Sequence, residues 1–369
     1  MAKSAKALQK DFAIEALRGF FRNKPLVFVG SGASCAVDKR FGMEALKTEL
    51  LRDVEKALRT ATEKREWESV KAALGAGTDL ETALDHVRDQ ELLGHVVRLT
   101  GHFVAGVDCQ YASPLSFGNL EWPMLLLFQK LTESYESDRA LHVVTPNYDL
   151  LIEYGCDAAG IPLTTGFVGG VQRRMNWSEA DSSMREMQSV LVGKSLKRQY
   201  RQRKHVRLYK VHGSLNWFVR GDSVIANDLW CWDPPPEVDR LVVTPGLSKF
   251  ERAIKFRDEL LKEADSAIKR AGSFLFIGYG FNDRDLDGTP EMGKKLKEQA
   301  CPAVVVTRDP SLRLRDLLEG SENMWLVCRV AENGDDSTRI RNRRYDGWLR
   351  IANQKWWDIR EFTRTILGA

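Results

Sequence analysis

The chain holds only 6 cysteines, Cys35, Cys109, Cys156, Cys231, Cys301 and Cys328, and no two of them form a C-x-x-C pair. That spacing excludes a zinc knuckle or a disulfide scaffold, and scattered thiols suit a reducing compartment. No apolar run approaches the length of a bilayer span, and the opening MAKSAKALQKDF lacks the apolar core of a secretion signal. We therefore expect a cytoplasmic protein with no membrane contact. Charge of one sign is scarce as well: a net charge of +4 over 369 residues is too small to argue for nucleic acid. His86, His95 and His102 are not spaced as the i, i+4 pair that grips a metal on one helix face, and read as solvated or packed helix residues. With the thiols dispersed too, no metal is expected.

What is present is a soluble composition, 43% apolar and 29% charged. The length suits an α/β core carrying an insertion. The chain is organised around residues 25–37, PLVFVGSGASCAV. Its apolar run Leu26, Val27, Phe28 and Val29 enters Gly30-Ser31-Gly32-Ala33-Ser34, which predicts the first buried strand of a parallel sheet turning on glycines. Such a turn lets main-chain N–H groups and a helix N-terminus face a phosphate. The spacing is G-x-G-x-S rather than G-x-G-x-x-G, so a plain tight turn stays open, and Ser31 and Ser34 read either as phosphate ligands or as caps.

An amphipathic helix is expected over residues 5–22. Residues 43–137 show almost no strand pattern and read as a helical insertion, with helices over 43–58, 79–99 and 122–135. Strands are predicted at 141–145, 206–211 and 241–245, with a helix over about 150–159 after the first of them. Then comes a regular alternation: a helix over 249–271, strands near 273–278, 303–307 and 324–330, and helices between them. Strands alternating with helices predict a Rossmann-like, doubly wound parallel sheet with a helical insertion. The expected division is an N-terminal helix (1–24), the core (25–42 and 138–330), the insertion (43–137) and a tail (331–369). Ligands bind such sheets at the carboxyl ends of the strands. Four clusters sit just after strands: residues 30–34, 147–149, 212–214 and 278–283.

Residues 172–207 are polar and basic, with Lys194, Lys197, Arg198, Arg201, Arg203, Lys204 and Arg207 in one run. They read as a solvated arm, an oligomer contact or a nucleic-acid contact. Trp348, Trp356 and Trp357 in the tail either dock a last helix or form an interface.

The ordered set GSGAS at 30–34, TPNYD at 145–149, KVHGS at 210–214 and GYGFND at 278–283 resembles the sirtuin-like superfamily, and more narrowly the bacterial sirtuin-like NAD hydrolases of anti-phage defence. The resemblance implies a Rossmann-like sheet with NAD as substrate. His212, Asn147 and Asp149 would then be catalytic, with His212 the catalytic histidine. Gly30, Ser31, Gly32, Ala33 and Ser34 would lie at the pyrophosphate, and Gly278, Tyr279, Gly280, Asn282 and Asp283 on the adenosine side. Sirtuin deacylases carry a four-cysteine zinc module that this chain cannot build, which favours hydrolysis of NAD to nicotinamide and ADP-ribose. The resemblance also implies a NAD-depleting defence effector, a homo-oligomer, with a HerA-type translocase ATPase as partner. Two alternatives are a catalytically silent NAD or ADP-ribose sensor controlling assembly and a deacylase without zinc.

The chemistry agrees with that implication. Breaking the nicotinamide–ribose bond leaves an oxocarbenium-like sugar and a neutral leaving base that needs no proton. The site must therefore orient a water, stabilise cationic ribose and exclude solvent. Asn147 can orient the water or a ribose hydroxyl, Asp149 can offer negative charge, and His212 is a natural base.

Overall fold

The computed structural model describes residues 7–134, 140–193, 195–243, 251–283, 286, 290–330 and 336–368. Expectations that touched Tyr135, Lys194, Thr244, Pro245 and Lys249 lie outside these residues.

A nine-stranded sheet forms the centre, built from β1 (Leu26–Val29), β2 (Ala140–Thr145), β3 (Leu163–Thr164), β4 (His205–Lys210), β5 (Phe274–Ile277), β6 (Ala303–Val306), β7 (Met324–Arg329), β8 (Thr338–Asn342) and β9 (Leu349–Ile351). Its order is β9-β8-β7-β6-β5-β1-β2-β4-β3. From β7 to β3 every pairing is parallel, and β8 and β9 add an antiparallel edge. The strands LVFV, FLFI and AVVV are apolar throughout because both faces are covered. Val27 and Val29 face one layer with the helices Lys10–Phe20, Leu125–Ser134 and Leu151–Ala158, while Leu26 and Phe28 face the other with Glu251–Arg270 and Leu312–Gly320. The chain leaves β1 in one direction through β2 and β4, then returns to its other side at β5. The sheet is thus doubly wound, with its switch point between β1 and β5.

Between β1 and β2 the chain is helical. Helices Met43–Ala57, Ala61–Gly75, Leu80–Leu84 and Gln90–Ser116 share a core of their own around Leu50, Trp67, Leu84 and Leu93. Helix Leu125–Ser134 instead packs Leu127, Phe128 and Leu131 on the central sheet. In the tail, β8 and β9 extend the sheet, and Trp356, buried at 2% exposure, belongs to the same core as Phe362. The N-terminal helix Lys10–Phe20 docks on the tail, with Arg18 Nε donating to Ile366 O at 3.0 Å and Leu17 fully buried. Ala13, Leu17 and Phe20 at one end and Trp356, Ile359, Phe362 and Ile366 at the other thus share one core.

Between β3 and β5 the chain builds two small antiparallel sheets unforeseen in the sequence. One has five strands in the order Asp239–Val242, Gly213–Arg220, Ser223–Ala226, Arg173–Met175 and Phe167–Gly169. The strand expected near 241–245 belongs here rather than to the central sheet. The other is a hairpin, Arg185–Val192 paired with Ser195–Gln202, which carries Lys197, Arg198 and Arg201 of the basic run. Met187, Leu191, Leu196 and Tyr200 share one exposed face of it.

Candidate functional site

All four sequence clusters meet at the carboxyl ends of β1, β2, β4 and β5, where they line one cleft of about 680 Å³. That volume suits a dinucleotide-sized ligand. The facing wall comes from the insertion, through Met43, Lys47, the turn at 77–82 and Phe103. The cleft thus lies between the sheet's switch point and the helical insertion.

The glycines bring the strand ends together before any ligand is considered. Gly278 has φ +57°, and a Cβ there would lie 2.3 Å from Ala33 N. A Cβ on Gly30 would meet Gly278 O at 2.5 Å, and one on Gly32 would meet it at 2.8 Å. Gly32 N–H donates to Gly278 O at 3.0 Å, and Ala33 N–H donates to Gly30 O at 3.0 Å. These two amides are engaged within the protein, and Gly30 and Ser31 line the cleft. The Ser34 hydroxyl donates to Asp149 Oδ2 at 2.8 Å and accepts from Asn147 Nδ2 at 3.0 Å.

That bridge defines how the TPNYD turn is held. Thr145 Oγ1 donates to Val29 O at 2.7 Å and accepts from Asn147 N–H, tying the end of β2 to the end of β1. Asn147 Nδ2 also donates to Gly30 O at 3.1 Å. Asp149 lies beneath, with Oδ1 accepting from Leu151 N–H, and burial pushes its carboxyl above the usual carboxylate range despite Lys210 nearby. Its carboxylate accepts from the Ser34 hydroxyl and from the start of the helix Leu151–Ala158. Lys210, fully buried, donates to Asp149 O at 2.6 Å and to Glu153 Oε1 at 2.8 Å. Tyr148 OH donates to Val243 O at 2.8 Å, and Leu215 N–H donates back to Tyr148 O, which knits this turn to the strands flanking His212.

His212 sits at the break between β4 and the antiparallel strand Gly213–Arg220. The break needs glycine: Gly213 has φ +83°, and a Cβ there would lie 2.0 Å from Leu241 O. His212 Nε2 is 3.2 Å from Asp283 Oδ2. The nitrogen is buried and makes no well-aligned hydrogen bond. Asp283 Oδ1 accepts from Leu286 N–H. Asp283, expected on the adenosine side, thus stands beside the histidine. Phe281 turns the chain back to achieve this, at φ +55°, a left-handed conformation strained for a bulky residue and held by its ring against Phe276 and Tyr279. Tyr279 points its ring into the core against Phe28 and Phe276 rather than at a ligand. Asn282 stays exposed, with its carbonyl accepting from Arg313 Nη1.

One buried carboxylate behind the turn at 147–149 went unread in the sequence. Asp108, on helix Gln90–Ser116 of the insertion, accepts from Leu150 N–H at 2.8 Å and from Tyr154 OH at 2.6 Å. Burial pushes its carboxyl up to about 6. A signal was there: Asp108 falls in helical register with the apolar Val104, Ala112 and Leu115, where an unpartnered carboxylate would be costly.

The protein family described as "SIR2-like domain" matches residues 141–325, half of the chain. None of the curated proteins matches the sequence. Among solved structures, one described as "Structural Basis for the Mechanism and Regulation of Sir2 Enzymes" aligns over 84% of this chain and 90% of its own, with 12% identity and a TM-score of 0.36.

Proposed function

Since the chain belongs to the SIR2-like domain family, we propose that it is an NAD glycohydrolase, cleaving NAD with water to nicotinamide and ADP-ribose. The observation that carries this reading is the convergence of His212, Asn147 and the two glycine turns on one cleft of dinucleotide size. His212 has a buried, unsatisfied Nε2 on that cleft, the kind of polar atom that a substrate or a water completes.

Cleavage removes nicotinamide as a neutral base and adds water to the anomeric carbon of the ribose, releasing one proton. His212 takes that proton, and the carboxylate of Asp283, 3.2 Å from Nε2, stabilises the imidazolium that results. Asn147, fixed by Gly30, Ser34 and Thr145, orients the water or a ribose hydroxyl. Asp149 acts through Ser34 as a positioning residue. Ser31 marks the pyrophosphate, and the segment from Gly278 to Asn282 bounds the adenosine side.

The reading extends to a NAD-depleting effector of bacterial defence that works in the cytoplasm as a homo-oligomer with a HerA-type ATPase. Of the contact surfaces expected from the sequence, Ala13, Leu17 and Phe20 of the N-terminal helix and Trp356 of the tail are buried within the molecule. The exposed apolar face of the hairpin Arg185–Val192/Ser195–Gln202 and half-exposed Trp348 are the surfaces left for assembly. Incubating the pure protein with NAD and following nicotinamide release tests the activity, which should need no acyl peptide and survive a chelator. Tight NAD binding without nicotinamide release would make the protein a sensor instead, and release only in the presence of an acyl peptide would make it a deacylase.

A further inference from the structure

A second cavity, of about 470 Å³, lies at the opposite ends of the strands from the cleft, where Leu26 begins β1 and Ala140 begins β2. Four cations line it from four separate elements: Lys24 ahead of β1, Arg185 at the start of the hairpin, Arg207 on β4, and Arg270 at the end of helix Glu251–Arg270. Arg207 is already compensated and fixed, with Asp181 at 3.2 Å, Glu263 at 2.9 Å and its guanidinium over the Trp177 ring at 4.5 Å. Among the described residues, neither Arg185 nor Arg270 has a carboxylate within ion-pair distance. The cavity is therefore left with an excess of positive charge.

His142 reports that field. Its Nδ1 is hydrogen-bonded to Tyr209 OH at 2.8 Å and its ring stacks on the tyrosine. Burial, then the charges of Arg207 and Arg270, push it down to about 4, so the ring stays neutral at neutral pH. Two uncommitted guanidinium forks in a concave site are matched by phosphate oxygens, which accept planar, bidentate, charge-assisted hydrogen bonds. Inorganic phosphate would fill a small part of this volume, whereas a mononucleotide would occupy it.

We propose that this cavity binds a phosphate-bearing small molecule of mononucleotide size, with Arg185 and Arg270 holding the phosphate and Arg207 and His142 forming the floor. The site is separate from the cleft and independent of the reaction assigned to it.

The test is calorimetric titration of the full chain at low salt with pyrophosphate and with ADP, using adenosine as the uncharged comparison. Both anions should bind, and Arg185→Glu/Arg270→Glu should weaken them by about tenfold or more, since each lost charge-assisted contact is worth at least that factor. Both side chains are exposed, so the variant should keep the melting temperature of the parent. Because ADP can also enter the cleft, hydrogen exchange locates the ligand: protection should appear over residues 23–26 and 267–272. Protection confined to 30–34 and 278–283 would overturn the proposal. So would unchanged affinity in the variant, adenosine binding as tightly as ADP, no binding at millimolar concentration, or a single-stranded oligonucleotide outcompeting ADP.

Discussion

Replacing Gly278 with alanine should loosen the contact between the two glycine turns on which the cleft is built. Two separate costs follow from the geometry. An L residue in the left-handed region, here φ +57°, costs about 1–2 kcal/mol. The added Cβ would also lie 2.3 Å from Ala33 N and 2.6 Å from Gly32 C, both backbone atoms with no flexible end to yield. A clash of that kind resembles an overpacked core position and costs about 1–3 kcal/mol. Together they give a loss of about 2–5 kcal/mol, a large share of the stability of an ordinary domain. Gly280 is the control. Its φ is not left-handed, and an added Cβ meets only the end of the Asn282 side chain, at 3.2 Å, so Gly280→Ala should cost under about 0.5 kcal/mol. Urea unfolding of both variants gives the difference. Because relief of the clash moves residues 30–34 and not His212, NAD hydrolysis by Gly278→Ala should show a raised KM with a smaller change in kcat. If the two variants unfold at the same urea concentration, the contact is not rigid and the account of the glycines is wrong.

His212→Ala should lower nicotinamide release by about 100-fold to 10,000-fold with little change in melting temperature, and retained turnover would remove His212 as the base. Asn147→Ala should lower turnover and also stability, because its amide joins Gly30 to Ser34; loss of activity alone would mean that the bridge is not structural. Asp108 holds a proton in the folded chain at pH values where the unfolded chain has lost it, so its contribution favours folding in acid and declines as pH rises from about 4 to about 6, by about 3 kcal/mol at most. Asp108→Asn should therefore flatten the fall in stability over that range, and an identical pH profile for variant and parent would refute it. Trp356→Ala should cost about 3–5 kcal/mol, as for other buried tryptophans, without changing the mass by light scattering; a changed mass at unchanged stability would make it an interface residue instead.

The sequence by itself determined the central sheet and the place of the site. Strands such as Leu26–Val29 and Ala303–Val306 are apolar on both faces, and that demand for cover is local and legible. A glycine or polar cluster after a strand must lie at the carboxyl edge of a parallel sheet, so the four motifs were bound to converge. Composition could not show the five-stranded antiparallel sheet or the hairpin, because short strands such as Arg173–Met175 and Phe167–Gly169 are stable only through pairing with distant partners. Nor could it separate the roles of residues that share a motif. Asn147 and Asp149 are two positions apart and both line the cleft, yet the Asp149 carboxylate accepts the hydroxyl of Ser34 from another strand end while the Asn147 amide donates to that hydroxyl and to Gly30 O. Asp283 became the neighbour of His212 only because Phe281 reverses the chain. Trp356 became core because β8 and β9 carry the tail back onto the sheet. Periodicity reports which residues need burial; which partner buries or engages them is settled only by long-range packing.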